Sequence, residues 1–225
     1  MGESVLLSDV EIRRAMKEKK LLIDPFFDTS LQPASYDLRV GKRALVSGME
    51  SEIDLENKRS FTLKAGDFAL MTTLEKIKLS NDIVGHIGMK SYYIRKGLIL
   101  LAGLQIDPGW DGYLVLGMYN ASPRNITLDY QSTICTVDFF RLSVPAEHCF
   151  ITGDEQKVGL IPKIDKDYLR TLETQTLSDM SESVRQLSAN VNTLTTVTYK
   201  VIIPILILIL GSVIIPLALR LFGIL

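Results

Sequence analysis

The sequence predicts a mainly β domain with an N-terminal helix, followed by a coiled-coil helix and a single transmembrane helix. Three observations carry this. Short apolar runs broken by turn residues fill the chain after Pro25, apolar residues then recur at heptad spacing, and an uncharged apolar run extends from Val201 to Leu219.

In chain order, Ser8 can cap a helix and Glu11, three residues later, can close a capping box, giving a helix to about Lys19. Beyond it, apolar runs at Phe61–Leu63, Phe68–Met71, Ile83–Ile87, Leu98–Ile106, Tyr113–Tyr119 and Ile134–Leu142 have the length and spacing of strands in a barrel or sandwich. The stretch Asp107-Pro108-Gly109-Trp110-Asp111-Gly112 is a dense turn signal joining two of them.

From about residue 169 to 200 the chain has no Pro or Gly and is rich in Ser, Thr, Asn and Gln. Leu177, Val184, Val191 and Thr198 fall at one core position of a heptad, and Met180, Leu187, Leu194 and Val201 at the other. So narrow a stripe favours a parallel coiled coil over one amphipathic helix lying on the domain. Val opposite Leu leans towards two strands, but the uncharged flanks Ser181, Ser183, Ser188 and Asn190 specify partner number weakly.

The run from Val201 has the length of a membrane span and carries only Ser212 as a polar side chain. Pro204 and Pro216 would disturb a soluble helix but are tolerated in membranes, and Gly211 with Ser212 would allow close helix packing. Lys200 and Arg185 before the span and Arg220 after it give little positive-inside bias. The opening residues have no secretory pattern, so a cytosolic N-terminal domain is expected. Gly2 and Ser4 only echo a myristoylation start. On a cytosolic domain the sequon Asn125-Ile126-Thr127 would carry no glycan.

Two cysteines, Cys135 and Cys149, supply neither a disulfide framework nor a metal-ligand spacing. A formal net charge of −1 offers no general attraction to nucleic acid. Anion binding must therefore be local.

In its motifs the chain resembles the dCTP deaminase branch of the trimeric dUTPase superfamily. The resemblance rests on Leu7 to Ile12, Leu31 to Gly41, Ser91, Arg95, Gly97 and Leu98, Ile106 to Trp110 with Gly112, and Tyr119-Asn120. It is looser at Gln156, Gly159, Pro162 and Lys163. It implies a distorted β-barrel of the dUTPase-like (β-clip) type, assembled as a homotrimer with nucleotide sites between subunits. Three strands would then replace two in the stalk, around one axis. The division expected is a deaminase/dUTPase-like domain at 1–168, a stalk at 169–200 and a transmembrane helix at 201–223.

The resemblance also implies site residues. The triphosphate falls to Lys90, Ser91 and Arg95, and Lys in place of the family's Arg keeps charge but loses the bidentate fork. Gln156 and Lys163 match closing positions, and Asp107 would contact the sugar and position water. A bound nucleoside triphosphate would bring Mg2+. Tyr92 and Tyr93 replace small residues, and Gly103-Leu104 replaces the family's Ala-His. The family glutamate that moves protons during attack on cytosine falls on Gly117, which has no group to act as acid or base. Glu147 lies in a loop far from it. A zinc route has no support, because His86, or His148 with Cys149, lacks the glutamate and the cysteine spacing.

Each residue also has a plainer role. Lys90 and Arg95 can be surface cations, Asp107 a turn-capping residue and His148 an ordinary loop residue. Three functions are compatible with these residues: a deaminase-inactive nucleotide-binding sensor at the membrane, a membrane-tethered dUTP diphosphatase using Asp107 and magnesium, and a structural trimer displaying a relic domain. The diphosphatase would want a Gly-rich C-terminal arm, where this chain enters its heptads.

Overall fold

The computed structural model describes residues 5–171 and 177–221. The expectations at Gly2 and Ser4, and the parts of the stalk and membrane segments at 172–176 and 222–223, lie outside the described residues. The chain divides into two compact units, Met1–Ser178 and Asp179–Leu225.

The first unit is mainly β. Its strands are β1 (Val5–Leu6), β2 (Leu21–Asp24), β3 (Leu31–Gln32), β4 (Ser35–Val46), β5 (Ile53–Asp54), β6 (Ser60–Leu63), β7 (Phe68–Leu79), β8 (Ile83–Met89), β9 (Leu98–Leu101), β10 (Gln105–Ile106), β11 (Asp111–Asn120), β12 (Ile126–Asp129) and β13 (Thr133–Arg141). Its helices are α1 (Asp9–Lys17), α2 (Leu55–Lys58), α3 (Ser91–Ile94), α4 (Asp154–Lys157) and α5 (Lys163–Thr171). The main sheet runs β10-β8-β13-β4-β7-β11-β9, and β6 pairs with β12 in a separate ribbon. Its two outermost strands, β9 and β10, are separated in sequence only by residues 102–104, so the sheet has to curl.

The curl is made at β4, which changes partners along its length. Tyr36 to Arg39 pair with β13, whereas Val40 and Ala44 to Val46 pair with β7. At the switch Gly41 lies so close to the Thr72 and Thr73 carbonyls of β7 that no side chain could stand there. One buried ion pair spans the same point. Glu75 of β7 is fully buried and accepts from the Arg39 backbone N–H at 2.9 Å and from its guanidinium at 3.1 Å. The guanidinium also lies over the Phe27 ring at 3.8 Å.

The expected capping box is present, with Ser8 accepting from the Glu11 N–H at 3.4 Å and Glu11 accepting from the Ser8 N–H at 3.1 Å. Ile12 and Ala15 of α1 are buried in the main core with Leu7, Tyr36, Leu38, Met71 and Phe139. The helix stops two residues before Lys19, whose left-handed backbone, at φ 58°, turns the chain into β2. The expected run Leu98–Ile106 divides into β9 and β10. A smaller apolar cluster joins Ile161 and Leu169 to Leu45, Phe68, Leu70 and Val115. α5 runs through residue 168 and buries Leu169 in this cluster.

The second unit is helical: α6 (Leu177–Val197), a π turn (Thr198–Ile202) and α7 (Ile203–Leu221). Pro204 accounts for the turn, since it has no N–H for the Lys200 carbonyl and its ring would press on that oxygen in a regular helix. The helix opens there, and Ile203 N–H donates to the Thr198 carbonyl. Val184, Leu187, Val191 and Leu194 are all exposed on α6. Hydroxyls fold back onto the backbone, Thr195 to Val191 at 2.7 Å and Ser212 to Ile209 at 2.7 Å, which masks their polarity. One helical stretch among the described residues, Glu182–Ser212, is long and, in its C-terminal part, apolar enough to cross a membrane.

Burial pushes the Glu75 carboxyl up despite Arg39, so desolvation outweighs the pairing. Removing only the carboxylate leaves Arg39 buried and unpaired. Glu75→Ala is expected to cost about 3–5 kcal/mol, and replacing both partners with apolar residues to cost less, measured by unfolding the full chain with its one tryptophan, Trp110, as reporter. Asp111 shows the opposite balance. Burial pushes it up, but Lys76 at 2.8 Å and Lys78 at 2.9 Å outweigh that and hold it below the ordinary aspartate range. A depressed carboxyl contributes stability that is present above its unfolded pKa and lost as pH falls through the folded one. Stability should therefore drop on acidification below the ordinary aspartate range, and Asp111→Asn should flatten that limb in a pH series of melting curves.

Candidate functional site

Asp107 begins the turn that ends β10, and Pro108 and Gly109 reverse the chain into β11. Gly109 has φ +89°, and a Cβ there would fall 2.6 Å from the Cβ of Cys149. The arm after β13 thus crosses directly over the turn. Phe150 N–H donates to the Pro108 carbonyl at 2.8 Å, the Phe150 ring stacks on Trp110 at 5.4 Å, and Thr152 Oγ1 accepts from Asp111 N–H at 2.8 Å. These contacts bring the arm's next helix, α4, against β11, where the Gln156 carbonyl lies close to Gly112.

Between them lies a cavity of about 130 Å³, lined among others by Gly103, Gln105, Trp110, Val115 and Gln156. Its wall is mostly apolar, with two carboxamides. Gln105 donates its side-chain N–H to the Asp107 carboxylate at 2.6 Å, joining Asp107 to the cavity rim. A Cβ on Gly103 would meet nothing within 4 Å, so the cavity wall is open there.

The residues expected to meet phosphate lie elsewhere. Lys90 directly follows β8 and pairs with the buried carboxylate of Asp37, which also accepts from the Gln32 amide at 3.3 Å. Its charge is consumed inside the chain. Ser91 and Arg95, on and just after α3, are exposed, and Arg95 has no ion-pair partner among the described residues. Tyr92 packs edge-on against Tyr93 at 5.0 Å, and Lys96 covers the Tyr92 ring at 4.0 Å. The two tyrosines therefore belong to a small aromatic cluster beside the exposed pair.

Strand register separates the two groups. β10 pairs antiparallel with β8 through Gln105 opposite His86 and Ile106 opposite Gly85, which puts Asp107 near the start of β8. Lys90 lies just past its end. Six residues of strand, about 20 Å, lie between them. Asp107, Gln105 and Gln156 are brought together. Lys90, Ser91 and Arg95 form a second group, and Lys163 opens α5 with an exposed side chain and its N–H on the Glu155 carboxylate at 3.1 Å.

Position 117 lies on β11, opposite Leu70 of β7 and Leu101 of β9. A Cβ there would stand 2.5 Å from the Leu101 carbonyl oxygen and 3.2 Å from the Phe68 ring. The site has no acid at this position and no room for one. Glu147 and His148 are exposed in the loop after β13, while His86 packs on Phe140 at 4.8 Å. Among the described residues no three His, Cys, Asp or Glu side chains are placed to hold a metal ion. Burial pushes the Cys135 thiol far up, which makes it inert.

Gln105 is a functional candidate that the sequence reading did not single out. On an extended segment residues two apart share a face, so a carboxamide two positions before Asp107 is the signal that could have found it.

Comparison with known proteins agrees with this architecture. Residues 6–142 match the dCTP deaminase-like family. A dCTP deaminase of Pyrococcus abyssi is 42% identical over 144 residues, covering 64% of this chain and 88% of the relative. A dCTP deaminase, dUMP-forming, of Dictyoglomus turgidum is 32% identical over 162 residues, covering 64% of this chain and 84% of the relative. In the crystal structure of 2'-deoxycytidine 5'-triphosphate deaminase from Agrobacterium tumefaciens the same fold recurs, with a TM-score of 0.52 at 24% identity over 61% of this chain. This chain spans 48% of that one, about half its length. With the motifs, the curled sheet and the matched span in agreement, the chain belongs to the dCTP deaminase-like family.

Proposed function

We propose that this is a membrane-anchored, homotrimeric dCTP deaminase-like protein that lacks deaminase activity and binds a nucleotide or related phosphate ligand as a sensor or regulatory module. The observation that carries the reading is Gly117. Proton transfer to and from the cytosine ring needs a titratable group, and the close Leu101 carbonyl leaves none of the space that a glutamate requires.

Binding has separate support. The cavity beside Trp110 suits a flat, mostly apolar group edged by amides, with Asp107 and Gln156 at its rim. Ser91 and the unpaired Arg95 offer an anion subsite, with Lys90 turned inward onto Asp37. Since β8 holds these halves about 20 Å apart, two copies that each contribute one half would complete a site, in line with trimer assembly. Lys163 would close it from the start of α5. Magnesium would arrive on the ligand's own phosphates.

The exposed apolar face of α6 fits a stalk that holds the copies together, and the apolar helix beyond it fits an anchor. In this reading the division at 1–168, 169–200 and 201–223 is functional, with the first part cytosolic and no nucleic acid as partner. A dUTP diphosphatase is the second reading, favoured by the retention of Asp107 with its carboxylate fixed by Gln105.

The test uses the full chain in nanodiscs with dCTP or dUTP and magnesium, tracking Trp110 fluorescence and products together. Saturable quenching without product is expected. Arg95→Ala should weaken binding about tenfold or more, the value of a charge-assisted hydrogen bond, and Gly103→Val, on the cavity lining, should weaken it by narrowing the opening. Deaminated product would overturn the reading. Pyrophosphate from dUTP, lost in Asp107→Asn, would establish the diphosphatase, and silence in both channels would leave a structural trimer with a relic pocket.

A further inference from the structure

The apolar cluster around Leu169 sits on the strand row that contains Gly117. Leu45 of β4, Leu70 of β7, Gly117 of β11 and Leu101 of β9 lie directly opposite one another in successive pairings, so they share one face of the sheet. Leu45 and Leu70 belong to the cluster that receives Ile161 and Leu169, and the Phe68 ring, also in the cluster, lies over Gly117. The helix is held at two further points. Lys166 pairs with Glu52 at 2.9 Å, both mostly buried, and the Glu155 carboxylate accepts the Lys163 N–H.

We infer that position 117 is the docking seat of α5, so that the domain's link to the C-terminal helices is built on the position where the family keeps its acid. Glycine lets Phe68 lie flat on β11 and lets β9 approach, and the resulting apolar face takes Leu169 and Ile161. A glutamate would displace the Phe68 ring and place an unpaired carboxylate among leucines. The exchange of acid for glycine is thus two changes at once, the loss of a proton carrier and the gain of a helix seat. The inference rests on the proposed function only in taking 117 as the acid position.

Hydrogen exchange on the full chain in nanodiscs, without ligand, tests it. Gly117→Glu should speed exchange of the amides in 163–171 at least tenfold and leave β4, β7 and β13 as in the unaltered protein. Leu169→Ala should do the same, and the double variant should be no faster than the quicker single one, because both act on one seat. Gly88→Ala on β8, whose Cβ would stand in open space, should leave exchange in 163–171 unchanged. If Gly117→Glu does not fold, Gly117→Ala takes its place, since its Cβ already meets the Leu101 carbonyl. Exchange of α5 within twofold of the unaltered protein, or acceleration spread evenly over the sheet, would overturn the seat. Because no nucleotide enters this experiment, a failure here is distinct from failure of the sensor reading.

Discussion

The partner change along β4 is the constraint on which the rest of the fold depends. One strand serves β13 with its first half and β7 with its second, and the backbones come close enough at Gly41 to exclude any side chain. Such a crossing leaves the Arg39 N–H without a strand partner on the β7 side. The Glu75 carboxylate takes it, together with the guanidinium of the same residue. A buried ion pair is a weak source of net stability, but here it answers a local need of the backbone. Everything on either flank, including the β8–β10 pairing and the β11–β9 pairing, inherits its place from that turn of the sheet.

The candidate residues are distributed by the same geometry. β8 holds the Asp107 end and the Ser91–Arg95 end apart, which is why the proposed site needs two copies. The pairing of Lys90 with Asp37 shows why charge counting by motif misleads. A lysine in an anion-binding position can be spent on the protein itself, and here the motif cation left exposed is Arg95. The aromatic cluster of Tyr92 and Tyr93 then shapes the surroundings of that one group.

The elements with local chemistry were legible in the sequence. The capping box at Ser8 and Glu11 specified α1, and the runs ending in Met71, Ile87 and Tyr119 fell on strands. The longest strand shared by both halves, β4, was not read as one, because it has no apolar run before Ala44: Tyr36, Leu38 and Val40 alternate with the charged Asp37 and Arg39, and Lys42 with Arg43 then breaks the alternation. The partners of these four charged residues, Lys90, Glu75, Glu56 and Glu52, stand outside the strand, the first two of them far along the chain. The site divides in the same way. Its residues could be named from motifs, but their separation along β8 depends on register, and the burial of Leu169 depends on a cluster gathered from distant segments.

The π turn before Pro204 has a consequence for how copies of the chain can associate. A π turn inserts about one extra residue, which rotates the later part of the helix by roughly 100° relative to the earlier part. Val201, the last residue of the heptad seam, lies inside that turn. The stripe of α6 therefore does not continue as one line along α7, and the proposed stalk and anchor would present different faces to a neighbouring copy. In that reading the pairing preferences of the two helices could be altered separately, by substitutions on different sides of Pro204.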